Sequence, residues 1–251
     1  FGQPSLMDDD TSTGAAVFTT LRWDKGRVAW LEEHLERIRA HARRLDIDWP
    51  TDFNERLAST NPIGDGNLCQ VQLTREGQIE LTLRQTDYPP SPLSAISHTA
   101  PRFTRKAQGT KHAAWTPYTD ARTTARKAGA DIALLVHKGA VVDGDRCTPI
   151  LLDSDGVAYA ASLEGGGIDS VTLSVLGPAI ESAGIPFRHA RLTETLLGRA
   201  SEIIVVGTGI GVAWLDEIDG QGVGTDCPGP LYETCNAAFT AALDTAWTTL
   251  G

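Results

Sequence analysis

No Cys-x-x-Cys pair and no histidines at finger spacing occur in this 251-residue chain; its four cysteines (Cys69, Cys147, Cys227, Cys235) are dispersed. A structural zinc site and a disulfide framework are thereby excluded, and no metal is expected. Positive charge is scarce: 22 Lys+Arg stand against 32 Asp+Glu, a formal net charge of -10. Such a surface repels phosphate backbones and anionic lipid, so neither nucleic acid nor a membrane is an expected partner. No apolar run approaches a membrane span, and Phe1 to Ser12 lacks the basic-then-apolar pattern of a secretory signal. A cytoplasmic protein is the expectation. Several catalytic signatures are also missing, namely Gly-x-x-x-x-Gly-Lys-Ser/Thr, His-Glu-x-x-His and Gly-x-Ser-x-Gly. In the turn Gly207-Thr208-Gly209-Ile210-Gly211, Val212 stands where a dinucleotide fingerprint needs its third glycine.

What is present is ordinary globular composition, 41% apolar and 22% charged, enough for one large domain or two compact ones. Residues 1 to 13 are polar and aperiodic and read as a partly mobile lead-in. Strand-forming residues at 15 to 23, the turn Asp24-Lys25-Gly26 and a short strand at 27 to 30 predict a hairpin. Leu31, Leu35, Ile38, Ala42 and Leu45 then recur at helical spacing, with His34, Arg37, His41 and Arg44 on a neighbouring stripe. Two strands, 68 to 74 and 78 to 84, flank Arg75-Glu76-Gly77. The segment Tyr88-Pro89-Pro90-Ser91-Pro92 is an extended connector. These features predict a small domain over 1–86, a linker over 87–93 and a larger domain over 94–251.

In the second part, a helix is expected from Tyr118 to Ala128, capped by Gly129. Strands follow at 132–136, 140–142, 150–152 and 157–160, then a helix at 171–183 and strands at 187–191 and 202–206. A final helix starts near Pro230 and runs towards Leu250. The mixture lacks a βαβ cadence, which predicts an α+β fold.

Two features could carry chemistry. The glycine turn at 207 to 211 follows a strand and can turn backbone N–H groups toward a phosphate, although on this feature alone a plain strand-end turn is the better explanation. Lys111, beside Ala113, Ala114 and Trp115, is placed to act as a nucleophile or base.

Taken with their neighbours, these residues resemble the fold-type IV enzymes that use pyridoxal phosphate, the class IV aminotransferases and aminodeoxychorismate lyases. Val17-Phe18-Thr19-Thr20-Leu21-Arg22 is similar to the family's early strand, and His34-Leu35-Glu36-Arg37-Ile38 to its His-x-x-Arg-Leu helix. Lys111 falls at the cofactor-bearing lysine, followed by Gly129 in GADIALLV, similar to GADEALLL. Asp143-Gly144, 32 residues after Lys111, matches a Glu-Gly; Ser170-Val171-Thr172 matches a Gly-Ile-Thr, and Pro228-Gly229-Pro230 repeats the usual ending.

The resemblance implies a two-domain fold, a small N-terminal α/β domain and a larger C-terminal β-rich domain with the cofactor between them. It implies pyridoxal 5′-phosphate as cofactor, Lys111 as catalytic residue, and Arg37, Asp143, Val171, Thr172, Gly207 and Thr208 as its companions in binding the cofactor. Phe18, Arg75, His112 and Trp115 are candidate substrate contacts. The segments Phe18-Thr19-Thr20 and Lys111-His112 are more similar to the lyases, which implies conversion of 4-amino-4-deoxychorismate to p-aminobenzoate and pyruvate. An aminotransferase for branched-chain or D-amino acids is the alternative, and a non-catalytic or reaction-switched member a third. A small amino substrate and a homodimer are the partners implied. Departures from the pattern are Asp143 for Glu, Thr148-Pro149 near an expected Asn, and Leu173 for an Arg.

Overall fold

The computed structural model describes residues 13–225 and 227–250; the lead-in expected over 1–13 lies outside them except for Thr13. The chain divides into two compact units. The first takes the described chain up to Asp87 together with Arg102–Trp115 and the residues from Thr245 on, and the second takes Tyr88–Pro101 and Thr116–Asp244. The α+β expectation holds, but the linear division into 1–86 and 94–251 does not. Two stretches return to the first unit for a physical reason, which is backbone pairing. Ala113 N–H donates to Ala16 O at 3.0 Å, His112 bridges Val17, and Leu250 N–H reaches Gly26 O at 3.0 Å.

In the first unit, β1 (Ala16–Asp24), β2 (Arg27–Ala29), β3 (Leu68–Thr74), β4 (Ile79–Arg84) and β15 (Trp247–Thr249) form an antiparallel sheet ordered β15-β2-β1-β3-β4. Helix α1 (Leu31–Arg44) packs on β1, and α2 (Phe53–Ser59) follows it. The apolar stripe expected for α1 is the buried one, Leu35, Ile38, Ala42 and Leu45. Each of the leucines and the isoleucine contributes about 1.5–3 kcal/mol on leaving water, and the Ala42 methyl about 0.8 kcal/mol. Two members of the polar stripe, His34 and His41, are buried beside it. The expected final helix is shorter than its apolar pattern suggests. It ends at Thr245, and Trp247–Thr249 extends along β2, where the free sheet edge gives its backbone groups partners.

In the second unit, a mixed ten-stranded sheet runs β10 (Phe187–Ala190), β9 (Ala158–Ala161), β8 (Thr148–Asp153), β12 (Ala200–Gly207), β13 (Gly211–Ile218), β5 (Leu93–Thr99), β6 (Ile132–His137), β7 (Ala140–Gly144) and β11 (Leu192–Thr193). Strand β14 (Gln221–Gly222) pairs with β13. Strands β6, β8 and β12 carry nearly continuous apolar runs, and Leu93, Ile132, Leu134, Leu151, Ile203, Val205 and Leu215 form one core. Helix α3 (Thr116–Lys127) lies on β6 and ends as expected, with Gly129 at φ +81°. Helix α4 (Val171–Ser182) packs against β12. Short α5 (Glu194–Leu197) precedes β12, and α6 (Pro230–Thr245) begins at the expected proline.

Candidate active site

On the first unit the candidates gather where β1, α1 and the segment at 111–115 meet. The backbone of Lys111 is held on both sides: its N–H donates to His41 Nδ1 at 3.2 Å and its carbonyl accepts from Phe18 N–H at 3.1 Å. Lys111 Nζ lies 4.4 Å from the Trp115 ring centroid and 5.2 Å from that of Phe18. The two rings meet edge to face at 5.0 Å, so the amine sits in an aromatic notch that attracts its charged form by about 0.5–2 kcal/mol.

Arg37, half-buried on α1, donates from Nη2 to Thr19 Oγ1 at 2.7 Å, and the same nitrogen lies 3.3 Å from His34 Nδ1. Both cations act on the same histidines. Burial pushes His34 well below the usual imidazole range, with Arg37 and then Lys111 adding to the shift. His41 falls to about 3, first by burial and then by the charges of Arg37, Lys111, Arg44 and His112. Near neutral pH these imidazoles are therefore uncharged acceptors, and the region around Arg37 and Lys111 favours an anion.

Two first-unit candidates have other work. Arg75 gives three of its N–H groups to backbone carbonyls, at 2.8 Å to Gly14, 3.1 Å to Asp46 and 2.9 Å to Leu45. These bonds give Arg75 a structural use: the guanidinium ties the β3–β4 turn to the end of α1. His112 is fully buried, its ring 4.5 Å from Phe103 in an edge-to-face contact, and burial lowers its pKa to about 4. It is a core residue, because the backbone bridge to Val17 turns it inward while Lys111, its neighbour in an extended segment, faces the other way.

The remaining candidates lie on the second unit. Asp143, buried near the end of β7, accepts Gly144 N–H at 3.0 Å through Oδ1 and Ile168 N–H at 2.8 Å through Oδ2. Gly167 permits that approach, since a Cβ there would stand 2.3 Å from Val142 O. Val171 and Thr172 are buried in the first turn of α4, where Ser170 Oγ caps Leu173 N–H at 3.2 Å. The first-turn amides have no acceptor within the helix and present positive potential.

Gly207 and Thr208 lie in a tight β12–β13 connection, closed by the Gly207–Gly211 pair and by Ile210 N–H to Gly207 O at 3.2 Å. A side chain at 207 would press to 3.0 Å from Arg146 O. Two residues beyond Asp143, buried Asp145 has its carboxyl raised by desolvation, partly opposed by Arg146 and Arg122. A surface depression of about 680 Å³ beside α1 and α2, lined by Glu36, Arg39, Trp49 and Asp52 among others, contains none of the candidates.

The family model for amino-transferase class IV matches residues 16–218, from the start of β1 to the end of β13. The chain belongs to this family. A D-alanine aminotransferase of Listeria monocytogenes serotype 1/2a (strain 10403S) is 24% identical, the match covering 93% of this chain and 89% of that protein. Among solved structures, a protein of Legionella pneumophila provisionally named 4-amino-4-deoxychorismate lyase superposes with a TM-score of 0.78 at 17% identity, over 96% of each chain. A branched-chain aminotransferase of the thermophilic archaeon Thermoproteus uzoniensis, solved with norvaline, gives 0.76 at 19% identity, over 95% of this chain and 91% of that one. At such identities the structural likeness establishes the class IV fold.

Two residues of this class IV chain escape sequence reasoning as site residues. Thr19 looks like an ordinary β-former, and its bond to Arg37 depends on α1 folding back over β1. His34 falls on the polar stripe of α1 yet is buried, and its position beside Arg37 gives it electrostatic weight. The available signal is the three-residue spacing of His34 and Arg37, which puts them on one helix face.

Proposed function

We propose that this class IV protein is a pyridoxal 5′-phosphate enzyme that acts on a small amino substrate as a lyase, converting 4-amino-4-deoxychorismate to p-aminobenzoate and pyruvate. The observation that carries the reading is the amine of Lys111 in its aromatic notch, beside Arg37 and histidines held neutral. Within each unit the residues fit the cofactor. On the first, Lys111 offers the amine for the aldehyde and Arg37 a fork for the dianionic phosphate. On the second, the backbone amides of Val171, Thr172, Gly207 and Thr208 and the two threonine hydroxyls suit phosphate oxygens. Asp143 suits the ring nitrogen, because a carboxylate oxygen accepts the hydrogen bond of a protonated pyridine and two backbone amides already orient the group.

When bound, pyridoxal 5′-phosphate supplies the electron sink for charge left beside the substrate nitrogen. The chain's own part is to hold that group and to move protons. Lys111 Nζ removes the proton from the amine-bearing carbon of the substrate and then protonates the departing enolpyruvyl group. Asp143 keeps the ring nitrogen protonated. Formation of the aromatic product makes the elimination downhill. The lyase reading is supported by the resemblance of Phe18-Thr19-Thr20 and Lys111-His112 to lyases and by the Legionella neighbour.

An aminotransferase is the second reading, favoured by the D-alanine aminotransferase relative that matches 93% of the chain. It needs a keto acid as second substrate. The deciding experiment supplies 4-amino-4-deoxychorismate without any keto acid. Release of p-aminobenzoate and pyruvate supports the lyase; no product there, with exchange between D-alanine or a branched-chain amino acid and 2-oxoglutarate, supports the aminotransferase. If the wild-type protein shows no bound-cofactor absorbance band that Lys111→Ala abolishes, the catalytic reading itself fails. A homodimer is part of the proposal, tested by mass in solution.

A further inference from the structure

The hydrogen bonds behind Arg37 run in one direction, and the direction can be deduced. A guanidinium only donates, so with Arg37 Nη2 3.3 Å from His34 Nδ1 the tautomer that leaves this nitrogen bare avoids turning two N–H groups on each other. His34 Nδ1 also lies 2.7 Å from Thr19 Oγ1. With Nδ1 bare, the hydroxyl proton of Thr19 points to it. The lone pairs of Thr19 Oγ1 are then left for Arg37 Nη2, at 2.7 Å. His34 carries its single proton on Nε2, which is buried and has no hydrogen-bond partner among the described residues.

Several features lock this arrangement. Thr19 and His34 are both fully buried, so water does not compete for the hydroxyl or for Nδ1. Burial, Arg37 and Lys111 all oppose protonation of His34, so a proton does not arrive at Nδ1 to face the guanidinium. Thr19 sits in the middle of β1, its backbone held in register with Val71 of β3. The rigid sheet therefore fixes the hydroxyl, and the hydroxyl fixes one edge of the arginine.

We infer that Thr19, oriented by neutral His34, is a positioning residue that holds the Arg37 guanidinium for the cofactor phosphate. The inference rests on the reading of Arg37 as the phosphate-binding arginine. Thr19 touches no cofactor atom in this scheme; it acts through Arg37, and its worth is greatest for ligands that carry a phosphate.

The test compares binding of pyridoxal 5′-phosphate and of pyridoxal, which lacks the phosphate, to the cofactor-stripped full-length protein and its variants. Thr19→Val keeps the side-chain shape and removes the hydroxyl; it is expected to weaken pyridoxal 5′-phosphate binding about tenfold and pyridoxal binding less than about twofold. Thr19→Ser is expected to restore phosphate-dependent binding to within about twofold of wild type. An unchanged affinity in folded Thr19→Val, or equal loss for both ligands, overturns the inference. Arg37→Ala separates it from the reading beneath it. If Arg37→Ala loses the preference for the phosphorylated ligand while Thr19→Val does not, only the role of Thr19 falls; if Arg37→Ala keeps that preference, both fall. A measurement needing no variant is the nitrogen NMR signature of His34 in the wild-type protein. The Nε2–H tautomer supports the inference, and an Nδ1–H tautomer overturns it.

Discussion

The two units bury opposite kinds of polar group. The first encloses three imidazoles, His34, His41 and His112, together with Thr19 and Thr20. The second encloses carboxylates, and three of them, Asp143, Asp153 and Glu202, accept backbone N–H groups. The difference is one of electrostatic strategy. A buried carboxylate is stable when several amides point at it, and it then pins loops and helix ends. A buried imidazole near cations is stable only when neutral, and it then accepts hydrogen bonds without cancelling the positive charge beside it. One unit thus uses negative charge to build structure, and the other keeps it away from Arg37 and Lys111.

The largest effect should come from breaking the carboxylate side of this contrast. Glu202 is fully buried and accepts from Gly229, Leu231 and Tyr232 at 3.1, 2.9 and 2.9 Å, capping the start of α6. Glu202→Ala leaves three inward-facing amides unsatisfied and should cost about 3–5 kcal/mol, read as a lower thermal midpoint.

The imidazole side should fail with acid. The folded values of His41 and His112, about 3 and about 4, lie below the ordinary 6.5. Between those values and 6.5 the unfolded chain binds more protons than the folded one, so stability rises with pH there. It is complete above about pH 6.5 and lost as pH falls towards 4 and then 3. Each histidine should withdraw about 1.4 kcal/mol per pH unit, or about 2 kcal/mol from about pH 6.5 to 5. Hydrogen exchange at about pH 7 and about pH 5 should show protection lost first in the first unit, and His112→Leu should remove one histidine's share of that slope.

Smaller effects sharpen the functional side. Arg75→Ala should cost about 1 kcal/mol, since its partners are carbonyls near the surface, and should leave KM unchanged; a rise in KM with stability intact would return Arg75 to the substrate site. Trp115→Leu should remove about 0.5–1 kcal/mol of attraction for the Lys111 ammonium. The readout is acetylation of Lys111 in cofactor-stripped protein, about two- to fivefold faster in the variant.

Much of the fold was legible because it depends on local periodicity. The stripe of α1, the alternation of β3 and the Gly129 cap all arise from neighbours along the chain, and they appear within a residue or two of expectation. Strands β5 and β13 were not anticipated, because each owes its conformation to pairing with distant strands more than to its own pattern. Helix α2 is only seven residues long, too short for helical spacing to stand out. Lys111, Arg37 and Asp143 were chosen as candidates by residue type and order. The backbone partners of Arg75 and the bond of Thr19 to Arg37 were not legible for a common reason. An arginine beside a turn and a threonine in a strand have many uses, and only the partners they meet in space choose among them.

Alone, the string of residues determined that this protein would be an α+β member of the class IV family, with one lysine and one arginine as its leading cationic candidates, since residue chemistry and helix or strand period are written in order along the chain. Which histidines stay neutral, which arginine is spent on carbonyls and which hydroxyl stands behind Arg37 were decided only by tertiary structure. Charge state and hydrogen-bond direction depend on burial and on groups brought together from separate segments, and neither exists until the chain has folded.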